Sequence, residues 1–401
     1  MKSGVSGFEG SRLREAREVR GMPVLTLAES IDVTRQVIYQ YELDNASPSV
    51  EVLSRISSAL GVPERFFISK RSESAESTLF FRSMASTTKT ARARATHRLQ
   101  WLQDIANYVS AFVEFPESDI PSLNLPADPL LISDEEIDDA AEQLRAYWRV
   151  PEGPIANMVA LLEHHGVVVA RDALGAESLD GLSGFFPSLA RPIVLVGIDK
   201  GSPVRWRFDA AHELGHLILH SHVAPSLLKS PENFKRIEDQ AHRFAGAFLL
   251  PCASFGEDLY GINLDNLLAL KLKWKISIAA MVMRARQCGL MSEETERRIW
   301  INISRRGWRK KEPYDDSMPV EEPRMLRAAI DLILTEGDQT PDEIIDQIGL
   351  PQRDIEALCG LPMGYFSDYS GLTLRRPFVD TEAAPEDTVA EVIPMRPRRR
   401  T

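Results

Sequence analysis

The first 70 residues carry apolar positions at helical spacing in four successive groups, with short polar turns between them. Residues 30–34 form the turn between the second and third groups, where Thr34 is placed to cap the next helix. Gly61 follows the last group, as is typical of a residue that ends a helix. The pattern predicts an all-α domain of four or five short helices. The groups are Leu13, Ala16 and Val19; Leu25, Ala28 and Ile31; Val37, Ile38 and Tyr41; and Val52, Ile56 and Leu60.

Beyond residue 86 the pattern predicts further helices and one small group of strands. A long polar helix is predicted over 87–113, and a proline-spaced extended segment after it marks the boundary of the next domain. Residues 134–166 are predicted to be helical, and short apolar runs at 167–170, 184–186 and 193–196 predict one small sheet. Later helices are predicted over 204–221, 234–250, 262–271, 276–288 and 292–304, with smaller ones near 321–336, 340–348 and 351–359.

Composition restricts the class of protein. A hydrophobic content of 44% with 26% charged residues is that of a globular chain, and 401 residues are too many for one ordinary core. No apolar run approaches the roughly 20 residues that span a membrane, and the N-terminus lacks the apolar core of a signal peptide. We therefore expect a cytoplasmic protein with no membrane partner. The three cysteines are far apart and form no CxxC pair, so we expect them to be reduced and structural.

The distribution of charge is more informative than its sum. A net charge of −11 argues against a chain that coats nucleic acid indiscriminately. Basic side chains nevertheless collect in residues 71–100 and at the end of the chain. The basic stretch is either a nucleic-acid contact or a solvated linker, and both readings stay open. The basic residues are Arg71, Arg82, Lys89, Arg92, Arg94 and Arg98, and then Arg396, Arg398, Arg399 and Arg400.

A His-Glu-x-x-His pattern at residues 212–216 is the strongest chemical signal in the chain. Spacing of four places His212 and His216 on one face of a helix, close enough to bind one metal ion. Glu213 lies beside that face, where it can hold a water molecule instead of the metal. The other positions of this helix are apolar, which favours a buried active-site helix over fortuitous histidines. The pattern predicts a catalytic zinc ion (Zn²⁺).

Catalytic zinc usually takes three protein ligands, and three residues compete for the third place. His222 has the spacing of an extended version of the motif, but Leu219 stands where that version needs a glycine. Glu238 lies on an amphipathic helix whose small residues permit close approach to another helix. His242, one turn further along, is a competing ligand or an outer partner of a ligand. We favour Glu238, with His242 and His222 as alternatives.

The run RFDAAHELGHLILH, followed by EDQAHRFAGAFLLP, resembles the ImmA/IrrE family of metallo-endopeptidases. The resemblance extends to residues 180–184 and 274–277 and covers the range 135–310. It implies that His212, His216 and Glu238 bind zinc and that Glu213 is the catalytic acid and base. The chain departs from the family at His242, where asparagine is more usual. We expect the substrate to lie extended along an exposed strand at 191–198 or 184–186.

The first 70 residues resemble the XRE, or lambda-repressor-like, helix-turn-helix family, with matches that include 12–17, 33–42 and 48–49. In that fold the second helix of the pair enters the major groove of double-stranded DNA. The resemblance implies base contacts through Arg35, Gln36 and Tyr39, with Gln40 as a further candidate and Thr34 near phosphate. The alternative is a helix-turn-helix kept for protein contacts, such as dimerisation or substrate capture.

These features predict a mainly α fold with an all-α helix-turn-helix domain and an α+β zincin-like metallopeptidase domain containing a small sheet. A small helical C-terminal segment follows. The predicted regions are the helix-turn-helix at 1–70, a basic helical linker with a proline-rich part at 71–130, the peptidase domain at 131–310, the C-terminal segment at 311–380 and a disordered basic tail at 381–401. Residues 321–365 either cover an apolar face, or cap the catalytic cleft or hold the protein partner.

The family resemblance implies a cytoplasmic zinc endopeptidase that cleaves a transcriptional repressor or a related regulator. The expected substrate is itself a helix-turn-helix repressor, and a homodimer is one expected assembly. Stress response and phage defence are the expected settings. The alternative is a DNA-binding transcriptional regulator whose peptidase-like domain acts as a sensor without proteolysis.

Overall fold

A computed structural model describes residues 4–69, 80–81, 88–177, 179–199, 201–224 and 226–369. Over these ranges the chain forms 17 α-helices and one four-stranded sheet, which confirms the mainly α fold. No helix in this part of the chain combines the length and the apolar character needed to cross a membrane. The predicted basic tail at 381–401 lies outside the described residues.

The helix-turn-helix domain contains four short helices. Two of the helix ends lie at the capping residues predicted from the sequence. The Val37 amide donates to the Thr34 hydroxyl at 3.4 Å, and Gly61 ends the last helix with a left-handed φ of 59°. The predicted apolar positions are buried, except that Leu25 is exposed and Val37 and Val52 are half-buried. The helices are α1 (Gly10–Val19), α2 (Val24–Ser30), α3 (Arg35–Glu42) and α4 (Val50–Leu60).

The long helix α5 (Lys89–Ser110) shares a core with the helix-turn-helix. The Trp101 indole N–H donates to Glu15 Oε1 on α1 at 2.6 Å, and the Trp101 and Phe66 rings meet edge to face. Glu15 also accepts two hydrogen bonds from Arg12 at 2.9 Å. The helix-turn-helix is therefore packed onto α5 through buried aromatic and polar contacts.

The sheet has the order β1-β3-β4-β2, with β3 antiparallel to both β1 and β4 and with β2 parallel to β4. Its last three strands are the three predicted ones, whereas β1 was not predicted. Because β4 pairs on both edges, the expectation that a substrate lies along 191–198 is wrong. The strands are β1 (Phe80–Phe81), β2 (Val168–Asp172), β3 (Gly181–Phe186) and β4 (Arg191–Gly197).

The two faces of the sheet belong to two different cores. Along β4, Ile193 and Leu195 point into the core that contains α5 and the helix-turn-helix. Val194 and Val196 point into the core that contains the eight helices α6 to α13. These helices are α6 (Asp134–Tyr147), α7 (Met158–His164), α8 (Pro203–Leu219), α9 (Pro231–Leu249), α10 (Cys252–Asp258), α11 (Leu264–Trp274), α12 (Ile278–Gln287) and α13 (Glu293–Arg305).

The expectation of three reduced cysteines is wrong for two of them. Cys252 and Cys288 form a disulfide, while Cys359 is a buried free thiol. The pair is separated by 36 residues in the sequence, and packing of α10 against α12 brings it together. The spacing of these two cysteines in the sequence does not indicate that they are in contact.

The C-terminal helices pack on the sheet face that also contacts α5 and the helix-turn-helix. At the start of α14 the Glu163 carboxylate accepts from the main-chain amides of Arg324 and Met325 at 2.9 and 2.8 Å. The segment then contacts α5 and β2, on the face opposite α8. These contacts agree with the first interpretation of 321–365, a segment that covers an apolar face. The helices are α14 (Met325–Glu336), α15 (Pro341–Ile348), α16 (Gln352–Leu358) and α17 (Tyr365–Asp368).

Candidate metal centre

Close packing of α8 against α9 builds the candidate site. A Cβ added at Gly215 of α8 would lie 3.1 Å from the main-chain oxygen of Ala241 on α9. Glycine at 215 and alanine at 241 therefore let the two helices approach closely. Because α8 carries the His-Glu-x-x-His pattern, this approach brings the first half of α9, including Glu238, to the two histidines.

His212, His216 and Glu238 converge, with all three ligand atoms within 4.8 Å of one another. The Nε2 atoms of the two histidines are 3.1 Å apart. Glu238 Oε1 lies 3.2 Å from His216 Nε2, and its Oε2 lies 3.4 Å from His212 Nε2. Two imidazoles and one carboxylate are a donor set that catalytic zinc sites use. The residues present therefore fit the metal that the sequence predicted.

The protonation of Glu238 depends on its neighbours. Burial alone raises the pKa of its carboxyl group, but the charge of His216 and hydrogen bonds from His212 and His216 outweigh that effect and lower the pKa. The carboxylate form is thereby favoured. Ionised carboxylate is also the form that binds a metal ion.

Glu213 is held between α8 and β3. Ser183 Oγ donates to Glu213 Oε2 at 2.6 Å, and both side chains are fully buried. On the same strand, a Cβ added at Gly181 would lie 2.8 Å from Glu213 Oε1, so glycine leaves room for the carboxylate. The sequence analysis gave neither residue a role. Ser183 and Gly181 thus fix the carboxylate that follows the first histidine of the motif.

The two alternative third ligands lie outside the convergent group. His242 is half-buried, with its ring centroid 6.3 Å from that of His212 and 4.8 Å from that of Phe208. His222 is exposed in the turn that follows α8. The helix ends at Leu219 without folding back, so His222 is not brought to the other two histidines.

His220 and Gln240, which the sequence analysis did not identify, lie on the Nδ1 side of His216. His220 Nδ1 lies 3.0 Å from His216 Nδ1, and His220 Nε2 lies 3.0 Å from Gln240 Oε1. Burial, reinforced by His216, lowers the pKa of His220 to about 3, so this imidazole is neutral. The signal available in the sequence was spacing, because His220 follows His216 by the same four residues that separate His212 from His216.

The predicted DNA-contact residues lie together on the outer face of α3. Ile38 and Tyr41 point into the core, which turns the opposite face of this helix to solvent. Tyr39 is 52% exposed. The exposed set is Thr34, Arg35, Gln36, Tyr39 and Gln40, the five residues predicted from the sequence.

Two protein-family models match this chain, one over the helix-turn-helix and one over the region that contains the candidate metal centre. Residues 13–67 match a helix-turn-helix family model, and residues 162–286 match the model of the IrrE N-terminal-like domain. A protein of Methanocaldococcus jannaschii, named as an HTH-type transcriptional regulatory protein, is 46% identical over 56 residues, which are 14% of this chain and 18% of that protein.

A solved structure described as a Mycobacterium tuberculosis transcriptional regulator is similar over 49% of this chain and 54% of that one, with 18% identity and a TM-score of 0.29. This chain thus spans less than two thirds of the length of either relative. From the two family models, the chain carries an XRE-like helix-turn-helix domain at its N-terminus and an IrrE-like peptidase-family domain after it.

Proposed function

We propose that this chain is a cytoplasmic zinc endopeptidase that cleaves a transcriptional repressor or a related regulator while its helix-turn-helix binds DNA. The observation that carries the proposal is the convergence of His212, His216 and Glu238 beside the buried carboxylate of Glu213. A protein that only sensed a ligand through this fold would have no need of a general base next to a metal-binding set. The IrrE-like family match adds a peptidase-family fold around these residues.

The proposed chemistry divides between the metal and Glu213. Zinc held by His212, His216 and Glu238 would supply Lewis acidity to polarise a peptide carbonyl and activate water. In this proposal Glu213 accepts a proton from the attacking water and returns it to the departing amine. Its hydrogen bond from Ser183 holds one carboxylate oxygen, which keeps the other oriented for that transfer.

The proposed path of the substrate follows the outer edge of β3. One edge of β3 is paired with β4, and on the other edge Phe80 pairs with Ser183 and Phe81 with Leu182 in antiparallel register. An extended chain can therefore add to this edge. A substrate that reaches Ser183 must replace β1, while one that stops at 184–186 can lie beyond it.

An apolar cavity extends this path past the end of β3. It has a volume of about 840 Å³ and lies between the end of α8, the end of β3 and the proline-rich segment. Phe185 lines it on β3 and Leu217 on α8, each a short step along its element from Ser183 and Glu213. The cavity is therefore suited to apolar side chains of a bound polypeptide.

The helix-turn-helix supports the nature of the proposed target. The exposed face of α3 is available for DNA, and the shared core with α5 attaches this domain rigidly to the rest of the chain. A peptidase held beside DNA in this way would meet DNA-bound regulators at high local concentration. This argument favours a repressor as the substrate over an unrelated cytoplasmic protein.

Replacing Glu213 with glutamine tests the proposal. We expect Glu213→Gln to keep zinc but to cleave at least about 100-fold more slowly, since general acid–base catalysis contributes roughly 10²–10⁴-fold. Cleavage is measured by mass spectrometry on a library of unstructured peptides and on helix-turn-helix repressors encoded near the gene, with zinc counted by plasma mass spectrometry.

Ser183→Ala is a second test variant. It removes only the hydrogen bond to the Glu213 carboxylate, so it should slow cleavage less than Glu213→Gln does. If wild-type protein with full zinc cuts none of these substrates, and Glu213→Gln leaves regulation of the target genes intact, the sensor alternative is correct.

A further inference from the structure

A run of basic side chains follows the residues that the IrrE-like model matches. Residues 297–311 contain seven arginine or lysine side chains and no carboxylate, in a chain whose net charge is −11. All seven are exposed. A surplus of one sign that opposes the charge of the whole chain makes a local electrostatic surface. We propose that this surface binds the phosphate backbone of double-stranded DNA, without regard to base sequence and apart from the helix-turn-helix.

The middle of α13 turns its positive side chains to solvent. Ile299 and Ile303 of this helix are buried, so the opposite face points outward. Arg298 and Arg305 are two turns apart on that outward face, and Arg297 lies beside them. These positions span roughly 12 Å of helix. Because duplex DNA carries one negative charge for about every 1.7 Å of its axis, a row of this length can meet several phosphates.

The turn after α13 brings further cations to the same surface. Gly307 has a left-handed φ of 72°, and the Trp308 amide donates back to a main-chain oxygen of α13 at 3.0 Å. The chain therefore turns back on the helix as it leaves it. Arg309 Nε then donates to Ser304 Oγ at 2.6 Å, which holds this guanidinium beside α13. We define the α13 patch as Arg297, Arg298, Arg305, Arg309 and Lys310.

The cations of the α13 patch are not neutralised by neighbouring carboxylates. None of them forms an ion pair within the ranges that the structure describes. The other two cations of the run do form one, Arg306 with Asp265 at 3.4 Å and Lys311 with Asp316 at 2.5 Å. These two are therefore left out of the patch. Unpaired positive charges gathered on one surface are what attracts a polyanion.

The competing explanation is an ordinary solvated helix face. Glu293 and Glu294 in the first turn and Arg305 in the last turn of α13 complement the helix dipole, as such a face would. Arg297 and Arg298 lie in the middle of the helix, where the dipole has no effect. The two glutamates precede them by four residues, yet no ion pair forms between them in the described structure. The dipole therefore accounts for only part of the charge.

The aromatic side chains of the run decide which polyanion fits. Trp300 and Trp308 are half-buried against the core, with Arg309 and Arg306 over their rings at 5.5 and 4.9 Å from the centroids. Stacking of unpaired bases needs open aromatic faces. Insertion into a membrane surface needs several exposed apolar side chains, whereas Ile301 alone is exposed among those of 297–311. The patch thus offers mainly charge, which fits duplex phosphates better than single strands or lipid.

The place of α13 in the fold sets the patch apart from the helix-turn-helix. The helix-turn-helix belongs to the core on one face of the sheet, and α13 belongs to the core on the other face. We therefore expect the patch to hold DNA outside the site that α3 reads. Its contribution is retention on DNA, and the inference depends on neither zinc nor peptide cleavage.

The test measures binding of the full-length protein to short random-sequence duplexes by fluorescence anisotropy at several salt concentrations. The variant combines Arg297→Ala, Arg298→Ala and Arg305→Ala, exposed changes that keep a good helix former at each position. The slope of log affinity against log salt should become smaller by about 3, close to one for each lost phosphate contact. At low salt the affinity should fall at least about tenfold.

The matched control removes the same amount of charge elsewhere. It combines Lys229→Ala, Lys235→Ala and Arg327→Ala, three exposed cations outside the run. Its slope and affinity should stay close to wild type, because salt screens charges beyond about 10 Å at 0.1 M. Equal losses in the two triple variants would overturn the patch, since binding would then follow net charge alone. Wild-type affinity and slope in the patch variant would overturn it as well.

Two further probes distinguish the partner. Tighter patch-dependent binding of single strands than of duplexes of equal length would overturn the choice of duplex DNA. Patch-dependent binding of poly-glutamate, with duplex binding unchanged in the patch variant, would assign the surface to an acidic protein instead. Zinc content and peptide cleavage are measured on the same variants, and we expect both to match wild type. Failure of the patch therefore leaves the peptidase proposal standing, and failure of the peptidase proposal leaves the DNA measurements valid.

Discussion

The two faces of the four-stranded sheet differ in how far apart in sequence their key contacts lie. On the α8 face, the convergent group comes from residues 212–238, on two consecutive helices. On the opposite face, the helix-turn-helix, α5, β2 and the C-terminal helices share one core whose members span residues 8–366. The candidate metal-binding residues are thus local in sequence, whereas the attachment of the helix-turn-helix domain depends on long-range contacts.

The carboxylate of Asp354 on α16 is an example of these long-range contacts. Asp354 accepts from Arg20 of the helix-turn-helix and from Arg98 of α5, each at 2.6 Å. Arg98 also pairs with Asp172 at the end of β2. Four parts of the chain, each more than 70 residues from the next, therefore meet at one buried ion-pair network. The two faces can be tested separately, since no residue of this network touches the candidate metal centre.

The largest expected effect is on the α8 face. Glu238→Ala removes one of the three converging ligand atoms, and zinc affinity should fall by more than the roughly 100-fold that outer partners contribute. Zinc stoichiometry and affinity are measured on purified protein. Full zinc occupancy in this variant would move the third ligand to His242 or His222, so His242→Ala and His222→Ala are the matched comparisons.

A smaller effect is expected on the opposite face. Asp354→Ala leaves buried Arg98 with Asp172 as its remaining partner, and the free energy of unfolding should fall by about 3 kcal/mol, the lower end of the loss when a buried ion pair is broken. Denaturant unfolding measures the loss, and zinc stoichiometry should stay unchanged. Asp316→Ala is the control, because its ion pair with Lys311 is solvent-exposed and its loss should leave stability unaffected. Loss of zinc in Asp354→Ala would show that the two faces are coupled.

The carboxylate of Asp354 makes the free energy of unfolding depend on pH. Burial opposes ionisation of Asp354, but the hydrogen bond from Arg20 and the charge of Arg98 outweigh it and lower its pKa below the ordinary 3.8. The stabilisation is therefore complete above pH 3.8 and is lost as the pH falls through the lowered pKa of the folded state. The difference in stability between wild type and Asp354→Ala should shrink over that acid range.

The smallest effect concerns the exposed face of α3. Arg35→Ala and Gln36→Ala should each cost about 1–3 kcal/mol of binding on a preferred DNA sequence and should relax the preference at one position. The preferred sequence is selected from random duplexes with the full chain, and binding is followed at several salt concentrations. Arg306→Ala removes the same charge from an exposed site just after the end of α13 and serves as control. Absence of salt-dependent binding would favour the protein-contact alternative.

Local pattern was sufficient for most elements. The helix predicted over 204–221 is Pro203–Leu219, and the helix predicted over 87–113 is Lys89–Ser110. The three predicted strands are present within a few residues of their expected ends. Helical and strand periodicities depend on neighbouring side chains, so they can be read without knowing the partner element. The strand β1 was missed because two residues carry no periodicity.

The sequence by itself determined the pairing of His212 with His216, the place of Glu213 beside them and the outward face of α3, since each follows from helical spacing alone. Only the tertiary structure decided that α9 brings Glu238 to the two histidines, and that the main-chain oxygens of Pro129 and Ile132 orient Gln240. It also decided which face of the sheet the C-terminal helices cover. Main-chain oxygens have no residue-specific signature, and contacts between distant segments leave no spacing to read, so both become visible only when the chain is folded.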